Sequence, residues 1–414
     1  MFLCTFFFMI GSLMATEIST ISSETITSKI QQFQKSHMLN GAIAVAKNNT
    51  TIYANGFGIA DHTNNQPCTK DTQFFIASIT KQFTAAALLH VLWQQNPSIE
   101  SLKSALHAPL AHYLPASDPI WGGLMPQWAK EVTLHHMLTH TSGLPAPNFQ
   151  PNEEITLTPA EVAASFKSKP LLFAPGTNYQ YCFSSYFLLS QIITRLSGKS
   201  LSAYLNEYFF IPFGMKNTLL PESGTCRTMK ASGQYPNISR GYTYIKQPLV
   251  ETKNYARNAL LCGAGGMVST VSDLLIWNHH LHNNQVLPAE ATALMLTEHV
   301  QIDPEDPSTY YCYGIQKIKT PNGDIFKHDG SIAGFISTLQ YIPCDQVSFA
   351  TLANYNIYYA DEFKQACNEG SATLYHIKNQ ELYKKLLDQA IEKRVPGFLD
   401  IKKRHILLQL KDIA

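Results

Sequence analysis

Apolar and polar positions follow two different rhythms along this chain. The segments Gly41-Ala42-Ile43-Ala44-Val45-Ala46-Lys47 and Thr51-Ile52-Tyr53-Ala54-Asn55-Gly56-Phe57-Gly58 are short, β-rich and separated by Asn48-Asn49, which predicts two strands joined by a turn. A helix is expected before them, over residues 18–37. From Ser78 to about residue 273 the spacing becomes helical, cut by loops bearing Pro and Gly. Strand signals return late: residues 310–319 and 324–327 flank Pro321-Asn322-Gly323, a hairpin turn, and residues 335–342 and 346–352 supply two more strands. Strands at both ends with helices between them predict an α/β (α+β) architecture. An antiparallel sheet is closed by the two termini (about 25–77 and 300–370), with a mainly helical lobe (about 78–299) inserted. Residues 371–414 read as a helical segment broken at Pro396-Gly397, with Leu382, Leu386, Leu387 and Ile391 on one apolar face.

Composition narrows the function. With 414 residues and 45% hydrophobic content the chain can bury a large core. A net charge of +1 gives no electrostatic case for nucleic acid. Residues 1–14 are almost wholly apolar and end at Leu13-Met14-Ala15-Thr16, the pattern of a secretory signal over residues 1–15, although no Lys or Arg precedes the run. Export to the periplasm or beyond is the expectation, with an uncleaved anchor as the alternative. The eight cysteines include no C-x-x-C pair, which argues against metal ribbons and thioredoxin-type chemistry. Lys402-Lys403-Arg404-His405 reads as a solvated helix face rather than a membrane contact. Nothing in these patterns fixes an oligomeric state.

The candidate chemistry begins at Ser78-Ile79-Thr80-Lys81, ahead of an alanine-rich helical run. Ser and Lys at i and i+3 share a helix face, so the amine is placed to take the hydroxyl proton that serine alone retains. A position in the first turn also favours developing negative charge. Two more clusters accompany it. Tyr181 lies on a loop after Pro175-Gly176 and before a helix near 186–193, where a phenol can exchange protons in a cleft. Lys327-His328-Asp329-Gly330-Ser331 is expected at the start of a strand, with Gly330 allowing close backbone approach to a substrate. The N–H of Ser331 would then join that of Ser78 in an oxyanion hole.

With these residues in hand, the chain resembles the serine β-lactamase and penicillin-binding protein superfamily, in its class C-like branch. That branch includes D-alanyl-D-alanine carboxypeptidases, D-aminopeptidases and esterases. The signatures S-x-x-K, Y-x-N and K-T-G or H-x-G map to Ser78/Lys81, Tyr181 and His328-Asp329-Gly330. Leu138-Thr139-His140-Thr141-Ser142-Gly143-Leu144-Pro145, Ile211-Pro212-Phe213-Gly214-Met215 and Gly265-Gly266-Met267-Val268-Ser269-Thr270 match further segments in the family's order, over about residues 25–370. The resemblance implies an exported serine hydrolase working through an acyl-enzyme on an ester, amide or peptide substrate, without cofactor or metal. Ser78 is the nucleophile, Lys81 and Tyr181 share the proton transfers in an order the sequence leaves open, and His328 forms a polar wall.

Two departures bear on the substrate. Phe183 stands where the family pattern has an asparagine that bonds the lysine and a substrate amide, and a phenyl ring does neither. His328 stands where other members have a permanently charged lysine, so a substrate carboxylate is held less firmly. A β-lactamase, a D-alanyl-D-alanine carboxypeptidase and a catalytically silent peptidoglycan- or partner-binding protein remain as alternatives. His136 and His140, four apart, lack the H-E-x-x-H of a zinc helix, and no G-x-S-x-G or phosphate-binding loop is present.

Overall fold

In the alternating sequence of Gly41–Lys47 (β1), Ala42, Ala44 and Ala46 join one apolar cluster while Ile43 and Val45 join another. Side chains of a strand point alternately to opposite faces, so β1 is buried on both and lies inside a sheet. The computed structural model describes residues 40–147, 157–222, 229–230, 232–233, 235–243, 250–251, 258–332 and 334–356. The expected signal segment, the helix over 18–37 and the tail over 371–414 lie outside them.

Six further strands extend the ladder after Thr50–Phe57 (β2): Val300–Asp303 (β3), Asp306–Tyr311 (β4), Gln316–Thr320 (β5), Gly323–Ile332 (β6), Phe335–Ile342 (β7) and Val347–Ala353 (β8). The eight strands run in the order β2-β1-β8-β7-β6-β5-β4-β3. β1 pairs antiparallel with β8 from Gly41↔Ala353 to Lys47↔Val347, so strands from the two ends of the sequence close the sheet as expected.

Two strand expectations change. The segment 310–319 is not one strand, because the chain turns at Gly314, whose φ of +75° suits glycine, and β4 and β5 pair with each other. A Cβ at Gly314 would meet the Lys81 carbonyl oxygen at 2.6 Å, so this turn is pressed onto the helix carrying Lys81. His328-Asp329-Gly330 also does not begin a strand. It lies in the second half of β6, just beyond Lys327, where pairing with β5 stops while pairing with β7 continues. This part of β6 packs on the turn over residues 77–79 that leads into the helix carrying Lys81.

The helical layer is built around Thr80–Gln95 (α1), which is buried through Leu92 apart from His90, as expected for a helix apolar on all sides. Phe183–Ser197 (α2), Asn258–Gly265 (α3) and Val271–His282 (α4) surround it. Phe83 of α1 stacks on Trp277 of α4 with ring centroids 3.9 Å apart. The small residues on one face of β1 let α4 approach the sheet.

Candidate active site

Ser78 sits in a single 3-10 turn, Ala77–Ile79, that leads directly into α1. The turn is held from both sides. Phe74–Phe75 pairs with Val268–Ser269, the Ile76 N–H donates to the Met267 carbonyl at 2.9 Å, and the Ser337 hydroxyl of β7 donates to the Ile76 carbonyl at 2.7 Å. Ala77 has φ +45°, a left-handed conformation that costs an alanine about 1–3 kcal/mol and persists only where the surroundings over-determine it. The strained residue immediately precedes the nucleophile, which it presents at a tight corner.

Gly330 explains why β6 can sit against this turn. A Cβ there would lie 2.4 Å from the Ile76 carbonyl oxygen and 2.2 Å from the Ser337 hydroxyl. The absence of a side chain at Gly330 thus serves the close approach of β6 to the turn that carries Ser78. Ser331 follows on the same strand, exposed and paired in register with Ile336. Asp329, which precedes Gly330, accepts from Lys327 Nζ at 2.8 Å and from the Thr338 hydroxyl at 2.9 Å.

Lys81 is completely buried, and its Nζ lies 3.1 Å from Ser78 Oγ and 2.6 Å from the Ala264 carbonyl. Around it stand the faces of three aromatic rings: Tyr181 at 4.7 Å, Phe183 at 4.8 Å and Tyr186 at 5.5 Å from the ring centres. Burial lowers the amine's pKa from its ordinary value to about 7, against a small opposing contribution from Cys182. Nζ donates to the Ala264 carbonyl and to Ser78 Oγ; once deprotonated, the amine can keep the first bond and turn its lone pair to the Ser78 hydroxyl. Phe183 opens α2 and is 37% exposed, so the position of the missing asparagine holds an apolar lip over the amine.

The Tyr181 hydroxyl is buried without a hydrogen-bond partner. Burial raises its pKa well above the ordinary phenol value; a loose approach of the Ser78 hydroxyl, short of a well-formed hydrogen bond, offsets part of this. The alcohol, amine and phenol, distant in sequence, thus meet in one place.

His328 is also close, its ring centre 6.3 Å from that of Tyr181, but both its nitrogens are occupied. Nδ1 bonds the Asp329 carbonyl at 2.7 Å and Nε2 the Tyr311 hydroxyl at 3.0 Å. Burial, followed by the Lys81 charge, lowers its pKa to about 4, so at neutral pH it is an uncharged wall. The same Tyr311 hydroxyl meets His140 Nε2 at 3.1 Å, and His140 Nδ1 accepts the Cys182 N–H at 3.1 Å.

Sequence reasoning did not single out Tyr311, His140 or the Ala264 carbonyl as parts of the site. His140 lay within the family-like segment over 138–145, and its φ of +60° marks it as a shaped position. Tyr311 gave no signal, because its partner His140 is 171 residues away along the chain. Among the described residues no group of three or more His, Cys, Asp or Glu side chains converges to hold a metal ion, and Cys68, Cys182, Cys262, Cys312 and Cys344 are free thiols.

Comparison with known proteins agrees with this architecture. An unguisins hydrolase from Aspergillus violaceofuscus is 26% identical over 352 residues, covering 79% of this chain and 59% of its own length. A D-aminopeptidase from Gluconobacter oxydans is 25% identical over 325 residues, covering 76% of this chain and 55% of its own. The chain thus spans under two thirds of the length of these relatives. Among solved structures, the octameric penicillin-binding protein homologue from Pyrococcus abyssi superposes with a TM-score of 0.67 at 24% identity, over 82% of this chain and 74% of that one. The D-amino acid amidase from Ochrobactrum anthropi SV3 gives 0.64 at 22% identity, over 85% and 96%. These likenesses establish the shared fold. The β-lactamase family model matches residues 26–370, and the chain belongs to the β-lactamase family.

Proposed function

We propose that this protein is a serine hydrolase that cleaves an amide, peptide or ester bond through an acyl-enzyme on Ser78. The observation that carries the reading is the buried Lys81 amine, 3.1 Å from the Ser78 hydroxyl with its pKa lowered to about 7. A base with a pKa near the working pH combines availability with driving force.

The two candidate proton carriers are pushed apart. Lys81 falls toward neutrality, whereas Tyr181 rises and stays protonated. Lys81 therefore takes the Ser78 proton as the oxygen attacks the carbonyl. Tyr181, its hydroxyl uncommitted, gives a proton to the leaving group and recovers one from the water that attacks the acyl-enzyme, while Lys81 returns its proton to Ser78 Oγ as the acyl group departs. The backbone N–H groups of Ser78 and Ser331 serve as oxyanion donors, a role supported by the packing of β6 on the Ser78 turn.

The substrate reading follows from charge. His328 is neutral, Lys81 is near neutrality and Phe183 lines the mouth, so no fixed cation among them awaits a carboxylate. A substrate with a small acyl group and no carboxylate beside the scissile bond fits better than a penicillin. The names of the relatives, D-aminopeptidase and D-amino acid amidase, favour an amide bond within that class. The apolar opening over residues 1–14 supports export.

A substrate panel tests the proposal: a D-aminoacyl nitroanilide, a short-chain nitrophenyl ester and a penicillin, each with wild type and Ser78→Ala. Turnover of the anilide or ester exceeding that of penicillin, and lost in Ser78→Ala, is expected. Penicillin as the best substrate would overturn the substrate reading, and turnover unchanged in Ser78→Ala would overturn the mechanism.

A further inference from the structure

Four hydrogen bonds run in a line from the loop carrying Tyr181 to the strand carrying Gly330 and Ser331, and their direction is fixed from both ends. At one end the Cys182 N–H can only donate, so His140 Nδ1 accepts and its Nε2 bears the proton. At the other, the Asp329 carbonyl can only accept, so His328 Nδ1 bears the proton and Nε2 accepts. Tyr311 closes the line: its hydroxyl accepts from His140 Nε2 at 3.1 Å and donates to His328 Nε2 at 3.0 Å. Both deductions, made from opposite ends, require the same orientation of this one hydroxyl. Its ring is fully buried, and its position at the end of β4 places it between the two histidines.

We propose that Tyr311 is a positioning residue: its hydroxyl locks His140 and His328 in complementary tautomers and thereby holds the Tyr181 loop and the β6 edge at one spacing across Ser78. The proposal rests on the reading of Ser78 as an acyl-transfer centre. Tyr311 touches neither Ser78 nor Lys81 through any of these bonds; its hydroxyl also lies beside that of Tyr186, whose own proton goes to the Leu138 carbonyl. Removing the hydroxyl leaves a buried donor on His140 and a buried acceptor on His328 without partners, and each relaxes by turning its ring or changing tautomer. The phenol and the oxyanion donors then lose their common frame. A transition state that needs both is affected more than ground-state binding.

Tyr311→Phe keeps the ring and deletes the hydroxyl. In the full-length variant kcat is expected to fall by roughly 10- to 100-fold while KM stays within about threefold. Histidine 15N spectra of the wild type are expected to show His328 protonated on Nδ1 and His140 on Nε2, with both patterns altered in the variant. A variant with wild-type kcat, or wild-type protein with either tautomer reversed, would overturn the proposal. The spectra of the wild type decide the matter even where the variant does not fold. They are also independent of turnover, so loss of the serine reading, seen as no Ser78 adduct, is told apart from loss of the line of hydrogen bonds through Tyr311.

Discussion

Burial decides the chemistry of Lys81. An exposed lysine is an ammonium at neutral pH and no base, but here three aromatic faces exclude water and leave one carbonyl and one hydroxyl as polar company. Phe183 is the part of this enclosure that departs from the family pattern. Phe183→Asn replaces apolar ring with a polar group beside Nζ, which stabilises the charged form. The pH midpoint for acylation of Ser78 is expected to move up by roughly one unit. An unchanged midpoint in a pH series of fluorophosphonate labelling would show that the phenyl ring does not set the amine's pKa. That Ser78, Lys81 and Tyr181 lie together was legible in the sequence, because local spacing and flanking segments point to them. The consequences of Phe183 and His328 were only half legible. That an asparagine is missing can be read from sequence; that the ring lies over the amine, or that His328 has both nitrogens engaged, depends on neighbours far along the chain.

Among elements, the contact between β6 and the Ala77–Ile79 turn governs the site. Their spacing is as small as a glycine permits. Gly330→Ala introduces a methyl at 2.4 Å from a backbone oxygen, and backbone cannot swing aside as a flexible side chain can. The variant is expected to lose most Ser78 labelling while retaining its far-UV circular dichroism, since the sheet itself runs on through β7 and β8. Full labelling in Gly330→Ala would mean that the turn has slack. The strands β1, β2, β7 and β8 were predictable within a residue or two because alternation and Asn or Gly turns mark them. The split of 310–319 into β4 and β5 was not, since it depends on Gly314 meeting the helix at Lys81. The motif's place within β6 was missed for a related reason: where β5 ends is a property of the partner strand.

Across the molecule, several histidines are folded away as neutral rings. Burial, the largest cause in each case, lowers His135 and His282 to about 3 and His328 to about 4, and it pushes His140 well below its ordinary range. In the unfolded chain these rings titrate near 6.5. Between the two sets of values the unfolded state binds more protons, so stability rises with pH there. The contribution is present above about pH 6.5 and is lost as pH falls toward 4 and below. Thermal melts are expected to show Tm falling steadily below about pH 6.5; a flat profile down to about pH 5 would contradict the burial of these rings.

In the proposed function Lys81, kept from water, makes Ser78 a nucleophile at neutral pH. The most direct measurement is the rate of fluorophosphonate labelling as a function of pH, with the adduct located by mass spectrometry of peptides. An adduct on Ser78, absent from Ser78→Ala, is expected, with a rate of formation that rises with pH through a midpoint near 7. An adduct on another residue, or labelling of Ser78 at a rate independent of pH across that range, would contradict it.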